Sequence, residues 1–314
     1  MLPWVVLVAA ATRCRALGPG TSGGYDWRFF AAGGISAAVS HGYTTPLDVI
    51  KTRMQTNPEL YNGSVPVAIR EIIETEGALF LLSGLLPTCV GYGVEGALKF
   101  GFYEFCKPIF ATVSSSEVTN LLLASVVAGA IASVVLCPAE DVRIRLVSEP
   151  TYASSAIDAF RKRVVDDGPL ASFSALPAMI SKQVPYTMGK QVSFDFMCEL
   201  VHATLVALFA GKTLESLDSF TPAIAALPAA VVACVLSHPG DTVLTEFFKS
   251  GPHPNGVLGS LAALVEDTAN TYGAFRALFT GIKARLLHVI GIIWIQLVIY
   301  DKIKQLLGLP ATGH

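Results

Sequence analysis

Charge is scarce in this chain, and no long apolar run goes uninterrupted. Of 314 residues, 15% are charged and 52% hydrophobic, and the mean hydropathy is +0.55. A soluble domain of this length would need more charge to cover its surface, so a lipid bilayer is the expected solvent. No stretch is as cleanly apolar as a single-pass anchor. The segments long enough to span carry Gly, Pro, Lys and His, as do helices of a bundle with a polar inner face. A net charge of −2 excludes a general basic surface, and with it nucleic acid as a partner. No CxxC pair occurs among the six cysteines (Cys14, Cys89, Cys106, Cys137, Cys198, Cys234), which read as small packing residues. Acids are missing from residues 1–24, which carry Arg13 and Arg15 and open on the apolar run 2–11. An organellar presequence and a secretory signal core both fit, and either sets 1–24 apart from the fold.

What is present is a repeat. Three times a small-residue-rich apolar segment runs into a proline followed by an acid: Thr45-Pro46-Leu47-Asp48-Val49-Ile50-Lys51-Thr52-Arg53, Cys137-Pro138-Ala139-Glu140-Asp141-Val142-Arg143-Ile144-Arg145, and His238-Pro239-Gly240-Asp241-Thr242-Val243-Leu244. The prolines stand 92 and 101 residues apart, longer than solenoid units, so each copy is a small domain. An aromatic–acid landmark follows in each: Phe102-Tyr103-Glu104 with Lys107, Phe194-Asp195, and Tyr300-Asp301 with Lys304. The expected units are 25–113, 114–212 and 213–310. Each holds two spans, since about 20 helical residues cross a bilayer. The six spans read as 29–53, 87–110, 121–145, 179–208, 221–247 and 282–307. An amphipathic patch such as 65–76, with Ile69, Ile72 and Ile73 on one side, would lie along the membrane surface. Gly33, Gly34, Ala37 and Ala38, and Ser125, Gly129 and Ser133, suit close helix crossings.

Proline removes a backbone donor and bends a helix, so Pro46, Pro138 and Pro239 predict three kinked helices converging at one end of a central cavity. Asp48, Glu140 and Asp241 offer acids there, with Lys51 and Arg143 one turn on. Pairs between neighbouring helices would latch that end, and desolvation makes such a latch reversible. Glu104 with Lys107, Asp195, and Asp301 with Lys304 form a second set at the other end. Two charge rings at opposite ends suggest alternating access.

The Pro-x-acid-x-x-base pattern, repeated with later aromatic–acid pairs, resembles the mitochondrial carrier family over residues 25–310. The resemblance implies an all-α membrane protein with six transmembrane helices in three pseudo-repeats, each of two helices plus a short surface helix. Narrower strings are similar to the family's phosphate carriers: 44–48, Lys99-Phe100-Gly101-Phe102-Tyr103-Glu104, Lys182-Gln183-Val184-Pro185-Tyr186-Thr187-Met188-Gly189-Lys190, and 237–241. Leu244 stands where most family members have a base, and the phosphate carriers resemble the chain there too. The resemblance implies a monomer in the mitochondrial inner membrane that imports inorganic phosphate with a proton. Its other partner would be the lipid bilayer, with cardiolipin a candidate lipid. Asp48, Lys51, Glu140, Arg143 and Asp241 would form the matrix-side gate. Glu104, Lys107, Asp195, Asp301 and Lys304 would form the cytosolic-side gate.

Family members contact substrate midway along the even-numbered helices. Counting back from the aromatic–acid landmarks gives Gly91, Lys182 and His288, then Lys99, Lys190 and Gln296. A phosphate needs cations in a partly desolvated pocket. Lys99, Lys182 and Lys190 supply them and Gly91 would leave room. A lysine at the centre of a membrane helix costs about 2.5–3.5 kcal/mol on insertion scales, so one without a role is disfavoured. His41 matches the histidine implicated in proton coupling in phosphate carriers, and imidazole titrates near neutrality. The chain departs from those carriers in three ways. Gly129 stands where they have an acid, Glu95 where they have an uncharged polar residue, and a pI near 6.3 is low for the family. Glu95 is therefore a candidate proton partner of His41.

Two other readings stay open: a carrier of another small anion, such as a dicarboxylate or sulfate, in a mitochondrion, a plastid envelope or another endomembrane, and a degenerate, non-transporting homologue. Ser83 and Ala175, which replace the usual base and Gly of the inter-helix motif, favour the latter. His41, His238 and His288 lie on different helices without acids at ligand spacing. No catalytic residue, metal ligand or cofactor is expected, and the chain does not read as an enzyme.

Overall fold

The computed structural model describes residues 26–56, 64–149, 151–208, 220–250, 279, 282–310 and 312. Among these the chain is built of helices, with no strand. The long ones are α1 (Trp27–Thr56), α3 (Leu85–Ala111), α4 (Glu117–Ser148), α8 (Thr221–Ser250) and α9 (Ile282–Leu306). A sixth span is assembled from α6 (Leu176–Thr187), a π turn (Met188–Val192) and α7 (Ser193–Leu208). Two short helices, α2 (Val65–Thr75) and α5 (Ala156–Asp167), follow α1 and α4. The expected third surface helix falls in 251–278, outside the described residues.

The spans pack in a closed cycle: α1 on α3, α3 on α4, α4 on α6, α6 and α7 on α8, α8 on α9, and α9 back on α1. Local chemistry closes it. Asp26 caps α1 by accepting the Arg28 N–H at 3.0 Å, and the Arg28 guanidinium holds that carboxyl below its ordinary pKa. The same guanidinium donates to the Leu307 carbonyl at 3.1 Å, tying the start of α1 to the end of α9. Gly308, at φ +75°, supplies the left-handed turn that ends α9.

Burial along α1 is inverted relative to a soluble helix. Ile35, Val39, Tyr43 and Leu47, four residues apart, are exposed, while Ser36, Ser40, Thr44 and Asp48 are buried. An apolar outer face suits a hydrocarbon solvent. The inward hydroxyls bond back to their own helix: Ser36 to the Gly33 carbonyl at 3.0 Å, Ser40 to Ala37 at 3.1 Å, Thr44 to Ser40 at 3.1 Å. Among the described residues, four stretches qualify as membrane-spanning by length and composition: α3 with the short 3-10 turn before it, α4, most of α8, and most of α9. α1 does not, because so much of its length is polar inner face, and the 176–208 segment does not, because the π turn divides it into helices of 12, 5 and 16 residues, each too short alone; their places in the cycle make them spans.

Glycine decides how closely neighbours approach. A Cβ on Gly33 would meet the Gly96 carbonyl oxygen at 2.5 Å, and one on Gly96 would collide with Ala37, so α1 and α3 cross backbone to backbone. Gly129 meets α6 in the same way, at Val184 Cα and Thr187 Oγ1, both 3.1 Å from a built Cβ. The expected small-residue crossings are therefore present. On α2, Ile72 is buried and Ile69 packs beside it, but Ile73 is exposed. Adjacent residues are about 100° apart around a helix, so only two of the three isoleucines share the packed face. The second surface helix is pinned by Arg163, which reaches Asp141 at 3.1 Å and the Ala171 carbonyl at 3.2 Å.

Candidate functional site: a charged cavity at the centre of the bundle

The spans enclose a cavity of about 90 Å³. Its wall carries six cations (Lys51, Lys99, Arg143, Lys182, Lys190, Arg285) and four carboxylates (Asp48, Glu95, Glu140, Asp241). The surplus is positive, in a chain whose formal net charge is −2. His41 and His288 also face it.

At the proline end, charges from several spans interlock. Arg143 on α4 reaches Asp48 on α1 at 3.5 Å and Glu140, one turn back on its own helix, at 2.7 Å. Lys182 on α6 pairs with Asp241 on α8 at 3.0 Å, and Arg285 on α9 holds the same carboxylate at 3.2 Å. His288 Nε2 lies 3.3 Å from Asp48. Tyr92 on α3 points its hydroxyl at both oxygens of Glu140, each at 3.3 Å. Lys51 is on the same wall.

Lys182, expected at mid-depth, thus stands in the proline-end network. Gly91 requires a correction: it is absent from the cavity wall, and a Cβ there would meet Ala139 Cβ at 2.5 Å. Its missing side chain makes room for α4, not for a ligand.

The middle layer is smaller and more deeply buried. Glu95 and Lys99 lie one turn apart on α3, 1% and 2% exposed, and form an ion pair. Gln183 on α6 donates to Glu95 Oε1 at 3.2 Å. Lys190, 1% exposed, donates to Gln296 Oε1 at 3.0 Å and sits over the rings of Phe100 and Tyr186, 4.6 and 5.3 Å from their centroids. No carboxylate reaches it among the described residues. Local structure puts it there: Pro185 lacks the N–H that would close the α-ladder, the π turn follows, and Gly189 packs against the Ala233 backbone, directing Lys190 inward. His41 on α1 stacks on Tyr92, ring centroids 3.7 Å apart, and its Nδ1 is buried without a hydrogen-bond partner.

The aromatic–acid end is thinner. Lys107 bridges Glu104 at 2.9 Å on α3 and Asp195 at 2.8 Å on α7, and the Tyr103 hydroxyl donates to Asp195 at 2.8 Å. Phe100 and Tyr300 stack across the bundle at 4.0 Å. The expected Asp301–Lys304 pair does not form. Asp301 accepts from the Thr312 N–H at 2.8 Å and from Gln305 at 2.6 Å, while Lys304 donates to Thr312 Oγ1 at 3.0 Å. The turn at Gly308 carries the chain back over the helix end, and its polar groups take both partners.

Sequence reasoning missed Arg285 and Tyr92. A signal for the first was available: the third motif has Leu244 in place of a base, so buried Asp241 needed a cation from another span. Among the described residues no group of three His, Cys, Asp or Glu could hold a metal ion.

The family model described as "Mitochondrial carrier protein" matches residues 25–114 and 114–204, together more than half of the chain. A Dictyostelium discoideum protein named mitochondrial substrate carrier family protein N is 38% identical over 286 residues, covering 88% of this chain and 93% of its own. The probable mitochondrial phosphate carrier protein of Schizosaccharomyces pombe is 29% identical over 291 residues, 89% of this chain and 90% of its own. Mitochondrial phosphate carrier protein 2 of Arabidopsis thaliana is 30% identical over 299 residues, 92% of this chain and 79% of its own. With its closed cycle of spans around a charged cavity, the chain is a multi-pass membrane carrier and belongs to the mitochondrial carrier family.

Proposed function

We propose that this carrier moves inorganic phosphate together with a proton across the mitochondrial inner membrane by alternating access. The observation that carries the reading is Lys190. A fully buried lysine with an amide and two ring faces, but no carboxylate, has no counter-ion for its charged form. In a low-dielectric site an unbalanced charge of this kind is costly, and a small anion between Lys190 and Lys99 would balance it. The cavity volume of about 90 Å³ suits an anion of a few heavy atoms. Relatives named as phosphate carriers, matched along about nine-tenths of the chain, support phosphate as that anion.

The proton has two candidate seats beside the anion, His41 with its unpartnered ring nitrogen and Glu95. Tyr92, which stacks on His41, lies one turn from Glu95 on α3, so both border the same space. The proline-end set would form the matrix-side gate, and the aromatic–acid set the cytosolic-side gate. An anion that drew Lys99 and Lys182 from their carboxylates would loosen the links on its own side.

The test is purified protein in liposomes. Labelled phosphate should exchange across the membrane, net uptake should accelerate when the interior is alkaline, and Lys190→Ala should abolish both. Absence of phosphate exchange by the wild-type protein, or counterflow of dicarboxylate or sulfate in its place, would overturn the reading.

A further inference from the structure

At the aromatic–acid end the Tyr300 hydroxyl is buried and makes no hydrogen bond among the described residues. A buried donor left unmade is costly, so it calls for an explanation. The first repeat shows what such a tyrosine can do. Tyr103 and Lys107 flank Glu104, and both donate to Asp195 in the next repeat. Tyr300 and Lys304 flank Asp301 at the same spacings, so their equivalent acid, one step on around the cycle, is Glu104. The bundle sets these groups level. Phe100 on α3 stacks on Tyr300 on α9, and Glu104 and Lys304 each stand four residues, one turn, beyond those rings. Yet Lys304 is held elsewhere.

We propose that the turn after α9 is a strap that withholds Lys304 from Glu104 and so keeps this end of the bundle short of full closure. The Lys304 ammonium donates to Thr312 Oγ1 at 3.0 Å, while the Thr312 N–H donates to Asp301 at 2.8 Å. Arg28 on α1 fixes the near end of the strap through the Leu307 carbonyl at 3.1 Å, and Leu309 is buried. Asp301 needs the strap because the second repeat offers it nothing. Phe194 has no hydroxyl, and Cys198, three residues after Asp195, carries no charge. A carboxylate that is 0% exposed requires donors. The strap and Glu104 therefore compete for one ammonium, a hydroxyl on one side and a carboxylate on the other. Thr312 holds it here because the same residue also serves Asp301. When the strap lifts, the carboxylate is the stronger partner, and Tyr300, on the same face as Lys304, gains an acceptor with it. That is a two-state element whose balance sets how firmly this end shuts.

The inference rests on the alternating access proposed above, but its first test needs no transport. Melting temperatures of the detergent-purified protein are measured for Lys304→Met and Glu104→Gln, singly and together, in the native chain and in Thr312→Pro. Proline removes the N–H and the hydroxyl of the strap at once. In the native chain the two shifts should add, because the pair is unmade. In Thr312→Pro they should no longer add, which marks a new contact between Lys304 and Glu104. If Thr312→Pro does not fold, Thr312→Val, which removes only the hydroxyl, carries the same expectation. Additive shifts in both backgrounds, or coupling already present in the native chain, overturn the proposal. In liposomes, Thr312→Pro should slow phosphate exchange about tenfold, the worth of one added charge-assisted link, and should cause no further slowing in a Glu104→Gln chain. Unchanged exchange sinks the strap and leaves the phosphate reading standing. If the native protein exchanges no phosphate, that reading falls, and the melting temperatures alone decide the strap.

Discussion

The two ends of the bundle are built from the same kind of repeated acid–base motif, yet they close differently. At the proline end, links join α1 to α4, α3 to α4, α6 to α8 and α8 to α9, with Asp241 held by two cations at once. At the aromatic–acid end, the links that join acid and base residues of the motif across spans converge, among the described residues, on Asp195, reached from α3 by Lys107 and by the Tyr103 hydroxyl, while Asp301 and Lys304 turn toward the helix's own C-terminal turn. Spacing along a helix determines which groups are offered at an end. It does not determine which neighbour takes them. Under the proposed alternating access, unequal latches would leave the two ends open for unequal times, because the populations follow the free-energy difference between the states.

The largest expected effect comes from Arg143→Ala, which strands Asp48 and Glu140 near the cavity wall. Removing one partner of a buried pair costs about 3–5 kcal/mol, read as a fall in melting temperature of the detergent-purified protein. Lys107→Ala at the opposite end should cost less, about 1.5–3 kcal/mol for charge-assisted bonds; an equal fall in the two variants would break the comparison. Glycines sharpen it next. A Cβ on Gly240 would run into the α6 backbone at Ser181 and Lys182, whereas the atoms nearest one on Gly101 belong to the Phe30 ring. Gly240→Ala should destabilise by about 1–3 kcal/mol or more through overpacking, and Gly101→Ala less, since a whole side chain can swing about χ1 and a backbone cannot. Similar melting temperatures for the two would contradict that reading. The smallest effects separate the two tyrosines. Tyr103→Phe loses a 2.8 Å bond to Asp195, Tyr92→Phe two contacts of 3.3 Å to Glu140. Each should cost about 0.5–1.5 kcal/mol, Tyr103→Phe the more, and the reverse order would show that the phenol on Glu140 matters beyond its geometry.

Much of this was legible from residues alone. Six spans, their approximate limits and the close crossings at Gly33, Gly34 and Gly129 follow from apolar length and small-residue spacing. The inward placement of Lys99, Lys182 and Lys190 follows from the helical count. Gly91 shows where counting stops working: the register puts it at the right depth, but a glycine's empty side can serve a ligand or a neighbouring helix, and only packing decides. Arg285 was invisible for the complementary reason. It belongs to no repeated motif, and its role exists only because α9 lies beside α8.

From its sequence alone, the protein was bound to be a threefold-repeated helical bundle in lipid with charges at both ends of its spans. Periodicity, proline placement and the cost of stranding charge in hydrocarbon act along one chain and need no knowledge of neighbours. Only the tertiary structure decided that Lys190 stands without a carboxylate, that Lys182 serves the proline-end network, and that Glu95 occupies the central layer. Charge pairing in a cavity depends on which spans face each other across a few ångströms, and that distance is set by how helices pack around one another.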